Sequence, residues 1–145
     1  MKKILAVCLC FVAIIALFSL RGCRETISKR NVIGLVQENY DEIKNACKNQ
    51  DSEALLSIEG VQKVNVEDGY MIVFCEGRGI STSSQDYGFY YSEENSPIAV
   101  GCSLEIVCGA EDLSPMGRGY RCIVGGNKFY TEPIKDNLYF YRNAY

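Results

Sequence analysis

The stretch from Asn31 to about Lys48 constrains the fold most, because its apolar residues fall along one side of a helix. Val32, Leu35, Val36, Tyr40, Ile43 and Cys47 recur three or four apart, with Gln37, Glu38, Asp41, Glu42 and Lys44 between them. Ser28 or Asn31 supplies a cap, and Gly34 weakens one turn. A lone amphipathic helix cannot bury its own stripe, so the rest of the chain must offer a surface to receive it. Asn49-Gln50-Asp51 interrupts the pattern. A short second helix carrying Ala54, Leu55 and Leu56 then starts at Asp51 or Ser52 and stops at Gly60.

The receiving surface reads as sheet. Val64 and Val66 alternate with Lys63, Asn65 and Glu67, and Asp68-Gly69 predicts a type I′ hairpin turn. Tyr70–Cys75 is apolar on both faces, which predicts a central strand covered on at least one side. Further strands are expected at Tyr87–Tyr91, Ile98–Val100, Leu104–Cys108, Tyr120–Val124, Lys128–Glu132 and Leu138–Arg142. Gly109 to Gly119 reads as loop, with turns at Gly125-Gly126-Asn127 and Pro133–Asn137.

Ahead of the helix, Ile4–Leu20 is seventeen residues without Asp, Glu, Lys, Arg or His, preceded by Lys2 and Lys3. As a helix it covers roughly 25 Å, short for a hydrocarbon core about 30 Å thick but usable if the flanking basic side chains snorkel. The same layout fits a secretory signal, although no pair of small residues follows where cleavage is expected. Leu20-Arg21-Gly22-Cys23 resembles a lipobox, which makes Cys23 a candidate for lipidation, and Arg21 argues against it. The expected fold class is therefore α+β: an N-terminal membrane helix or signal, then one amphipathic helix packed on a mostly antiparallel sheet of five to seven strands. Residues 1–24 form the anchor or signal, 25–30 a basic juxtamembrane linker, and 31–145 a single soluble domain. The expected location is the cell membrane, single-pass or lipid-anchored, with that domain outside the cytoplasm and lipid as the partner of residues 4–20.

Charge and composition then remove whole classes of function. Residues 31–145 carry nine basic and seventeen acidic side chains, a net of −8, and this acidity argues against nucleic acid. With no histidine in the chain, Ser-His-Asp and Cys-His nucleophilic systems are excluded. No cysteine pair has the two-residue gap of a zinc knuckle or redox motif, and no acidic spacing resembles a calcium loop. No metal or cofactor is expected. Of the domain's five cysteines, Cys47, Cys75, Cys108 and Cys122 read as buried thiols, whereas Cys102 and Cys108 enclose a five-residue loop that a local disulfide would close.

Candidate binding residues are aromatic and cationic. Alternation sets Tyr87, Phe89 and Tyr91 against Tyr90, and Tyr139 and Tyr141 against Leu138 and Phe140, so a strand face could present tyrosine to a ligand. Arg78 and Arg118 lie between glycines, where a guanidinium can approach an anion. The leading expectation is a membrane-tethered envelope module that binds protein or envelope material through an aromatic sheet face at Tyr87, Tyr91, Tyr139 and Tyr141. The alternatives are a small histidine-independent enzyme in which Glu76, Arg78 and Arg118 converge in a pocket, or an accessory subunit of a membrane complex. An enzyme is the less expected outcome.

Overall fold

The computed structural model describes residues 28–78 and 84–145. Residues 28–38 form helix α1, followed by α2 (Tyr40–Lys48) and α3 (Ser52–Ser57). The single long helix expected from the apolar period is two, because Asn39 has ψ 24° and breaks the regular turn. Its side-chain amide donates to the Leu35 carbonyl at 2.9 Å, the local competition with the backbone ladder that asparagine favours. Asp51 caps α3 by accepting from the Ala54 amide at 3.0 Å. Residues 28–30, assigned above to a linker, are already helical.

The three helices pack on a seven-stranded antiparallel sheet, which corrects the expected one-helix architecture. Its strands are β1 (Lys63–Glu67), β2 (Tyr70–Arg78), β3 (Gln85–Ser92), β6 (Ser114–Met116), β7 (Gly119–Val124), β8 (Asn127–Lys135) and β9 (Leu138–Ala144), in the order β1-β2-β3-β9-β8-β7-β6. A separate ribbon pairs β4 (Ala99–Val100) with β5 (Ile106–Cys108). The central strand is β9, and β2 lies second from an edge. At the first hairpin Glu67 faces Tyr70, yet only Gly69 has positive φ (76°), so the turn is not type I′. That conformation appears instead at Gly125-Gly126, where both residues have positive φ between Val124 and Asn127.

The sheet is covered on both faces. Met71, Val73, Cys75, Tyr87, Phe89, Tyr91, Leu138 and Phe140 meet the helices, where Val32, Val36, Ile43 and Leu55 are buried. Ile72, Tyr90, Tyr139 and Tyr141 meet Ile98, Val100 and Leu104 of the ribbon segment. Full burial of such a side chain stabilises by roughly 1.5–3 kcal/mol, so both layers are needed to offset the ordering of the chain. Cys108 of β5 is disulfide-bonded to Cys122 of β7, tying ribbon to sheet. The expected Cys102–Cys108 bond is thereby corrected. Cys102 is an exposed free thiol, whereas Cys108 is buried beside Cys122, Ala99 and Phe129. Cys47 and Cys75 are buried free thiols, and burial pushes both up to about 12.

Among the described residues no helix is long and apolar enough to cross a membrane. The described residues thus supply no span, and they lend no support to the expected single-pass anchoring, lipid contact or membrane location. Residues 4–20, on which the span was read, and Cys23, the lipidation candidate, lie outside the described residues.

Candidate functional site

On the helix side the coverage is incomplete, and α1 stands over a cleft of about 760 Å³. Its floor is the outer part of β3, β9 and β8, where Tyr87, Phe140, Arg142 and Tyr130 share one face. Strand pairing explains why they meet: Tyr87 is in register with Arg142, and Arg142 with Tyr130. One wall is α1, which presents Lys29, Ile33 and Gln37 at helical spacing together with Arg30 and Gly34. The turn between β6 and β7 closes the far side with Met116 and Gly117.

The polar centre of this face is Glu132. It is 4% exposed, and its Oε2 accepts from Lys29 Nζ at 2.6 Å and from the Tyr130 hydroxyl at 2.5 Å. A carboxylate buried without such donors would cost several kcal/mol, roughly, so Lys29 and Tyr130 make its burial tolerable. Lys29 also lies 5.7 Å from the ring centroids of Tyr130 and Phe140, and the Arg142 guanidinium lies 5.9 Å from the Tyr130 ring. Tyr130 is held well above the ordinary tyrosine range, first by desolvation and then by its hydrogen bond to Glu132, so it stays protonated and remains a donor. The cleft thus combines aromatic walls with Lys29, Arg30 and Arg142, and among the described residues no acidic side chain lines it, Glu132 being buried behind Lys29 and Tyr130. A second groove, of about 740 Å³, lies across α1 and is lined by Glu38, Glu42 and Glu59; Arg30 and Gly34 border both.

The residues singled out from the sequence do not form one site. Tyr87 and Tyr91 lie on the helix side of the sheet and Tyr139 and Tyr141 on the ribbon side, and all four are buried, at 1%, 8%, 5% and 1% exposure. The expected aromatic binding face is therefore core, which corrects the leading expectation of a sheet-face binding module. Only Tyr87 lines the cleft. Arg78 bonds Glu76 of its own strand, whereas Arg118 sits on the turn between β6 and β7, where its charge reaches Tyr130. Glu76, Arg78 and Arg118 thus do not converge.

The sequence alone singles out none of Lys29, Arg30, Tyr130, Glu132 and Arg142 as site residues. Lys29 and Arg30 read as part of a basic juxtamembrane linker, and nothing local distinguishes an Arg or Glu inside a strand. The one available signal is Glu132 set between Tyr130 and Ile134 on one strand face, since a buried acid requires a partner. Among the described residues no group of three or more Cys, Asp or Glu side chains is arranged to hold a metal ion. No protein-family model, no curated protein and no solved structure matches the chain, so its cleft is read from its own geometry.

Proposed function

We propose that the cleft beneath α1 is a binding site for a small anionic ligand. The observation that carries this is the meeting of Lys29, Arg30 and Arg142 over an aromatic floor, in a stretch, residues 28–145, whose eleven basic and seventeen acidic side chains give a net charge of −6. Cations gathered against low-dielectric walls focus field on a bound anion. A volume of 760 Å³ also lies within the range that ordinary small-molecule sites occupy.

The test is titration of the protein with inorganic phosphate and with 2-naphthoate, followed through amide chemical shifts in α1, β8 and β9. Binding to at least one anion should weaken with salt, and the Arg30→Met/Arg142→Met double variant should lose about tenfold, or 1.4 kcal/mol. Binding of neither anion, or binding indifferent to both changes, sinks the reading.

A histidine-independent chemical role is the second reading, favoured by the Lys29–Glu132–Tyr130 cluster beside the cleft, in which Glu132 is buried. In that case Glu132 accepts the Tyr130 proton, and the hydroxyl oxygen, held in place by that bond, is left to accept from the bound group. Tyr130→Phe would then abolish turnover of a bound substrate while leaving its affinity within about threefold, whereas a pure binding site shows no turnover to lose.

A further inference from the structure

Gly34 stands in the middle of α1, and glycine is the poorest helix former after proline. Eleven glycines are described, and ten have a structural reason to lack a side chain: positive φ, or a neighbouring atom within 3.0 Å of where Cβ would lie. Gly34 has neither. A Cβ built there meets nothing within 4 Å. The fold therefore leaves this position open without needing it open, and the open position borders the cleft between Arg30 and Gln37.

We infer that Gly34 is a specificity-determining position, which keeps the α1 wall bare so that the flat ring of an aromatic monocarboxylate can lie against it. This rests on the anion-site reading above and names its ligand class. Three observations point to a ring with one acid group. Tyr130, half-buried, supplies a ring on the floor beside the buried Tyr87 and Phe140, and Ile33 and Met116 add apolar side chains at the walls. Lys29 and Arg30 lie on the first described turn of α1, one turn from Gly34, so the carboxylate has its partners at one end of the apolar surface. Across Gly34, Glu38, Glu42 and Glu59 line the neighbouring groove and repel a second anionic group.

The experiment compares 2-naphthoate, its neutral amide 2-naphthamide and inorganic phosphate on the full chain and on Gly34→Ala and Gly34→Leu. Gly34→Ala is the folding control and should raise Tm by about 3–6 °C, because alanine favours helix and has room. Gly34→Leu should remain folded and bind 2-naphthoate at least tenfold more weakly, while 2-naphthamide binds the native chain at least tenfold more weakly than 2-naphthoate. Equal 2-naphthoate affinity in the native chain and Gly34→Leu overturns the role of Gly34. Binding of phosphate without 2-naphthoate overturns the aromatic class and leaves the anion site standing. Binding of neither overturns both.

Discussion

On the ribbon side of the sheet Tyr90 and Tyr139 are enclosed, whereas on the helix side enclosure runs from the buried Tyr87 and Phe140 to the half-buried Tyr130 at the cleft. Tyr90 and Tyr139 stack at 5.1 Å with their planes 2° apart, beneath Ile98, Val100 and Leu104. The Tyr90 hydroxyl accepts from the Ile98 amide at 2.9 Å and bonds Thr131 Oγ1 at 2.8 Å, and Tyr139 donates to Asn95. Across the sheet, Tyr87 and Phe140 pass from core into the floor of the cleft, where Lys29, Arg30 and Arg142 gather. Tyrosine content is thus a poor guide to function here. What separates core from site is whether another layer reaches over the ring, and the two-strand ribbon does so over Tyr90 and Tyr139 where the eleven-residue helical segment leaves Tyr130 half-buried.

The largest test of the closed side is Gly88→Ala. A Cβ there would lie 2.0 Å from the Val73 carbonyl and 2.7 Å from the Tyr141 ring, and a strand in the sheet interior has no room to retreat. The expected loss is about 4 kcal/mol, or failure to fold, measured by urea unfolding. A loss under about 1 kcal/mol would show that the ribbon side is loosely packed and that the contrast between faces is overstated.

Removal of the Cys108–Cys122 bond comes next. The two cysteines are 14 positions apart, for which chain-entropy bookkeeping gives about 3 kcal/mol. The Cys108→Ala/Cys122→Ala variant should lose that stability and lose amide protection first in residues 98–108, with the α1 cleft retained. Equal loss of protection in α1 would mean that the two faces do not open independently.

A pair of hydroxyl deletions sharpens the comparison within the ribbon side itself. Tyr90→Phe strips a partner from the buried Ile98 amide and from Thr131, and should cost about 1–3 kcal/mol. Tyr141 is equally buried, but among the described residues its hydroxyl has no hydrogen-bond partner. Tyr141→Phe should therefore leave stability unchanged or raise it by up to about 1 kcal/mol. Opposite signs in thermal unfolding support this account of the closed face, and equal losses contradict it.

The same contrast explains what could be read from the chain in advance. Period-two alternation assigned Tyr87, Phe89 and Tyr91 to one face and Tyr90 to the other, and separated Tyr139 and Tyr141 from Phe140, because each strand is long enough to show it. The covering ribbon was not legible as a cover. Its strands are two and three residues long, too short for a period to say which side is buried. The cleft was hidden for a different reason. Lys29 and Glu132 lie 103 positions apart, and only the order β3-β9-β8 under α1 brings them together. Asn39 shows a third limit, for a helix break caused by one side-chain amide leaves the apolar period undisturbed on both sides.

The smallest expected effect concerns the closed end of the helix side, where Asp136 in the β8–β9 turn holds α2. Asp136 accepts from Lys44 at 2.8 Å and from the Tyr40 hydroxyl, and the Lys135 ammonium sits 3.7 Å from the Tyr40 ring centroid. Hydrogen bonds from Lys44 and then Tyr40 hold Asp136 below the usual carboxylate range, while Asp136 raises Lys44. A carboxylate lowered by folding adds stability above its unfolded value, about 3.9, and loses it as pH falls through the lower folded value. A lysine raised by folding works oppositely, contributing fully below its unfolded value, about 10.4, and ceasing as pH rises through the folded one. The groups are exposed, so salt should blunt the effect. Protection factors for α2 amides should fall as pH drops below about 3.9, and Asp136→Asn should remove that part of the pH dependence without altering residues 98–108. An unchanged α2 profile in the variant would show that this contact does not hold the closed end, leaving apolar packing alone to distinguish it from the cleft.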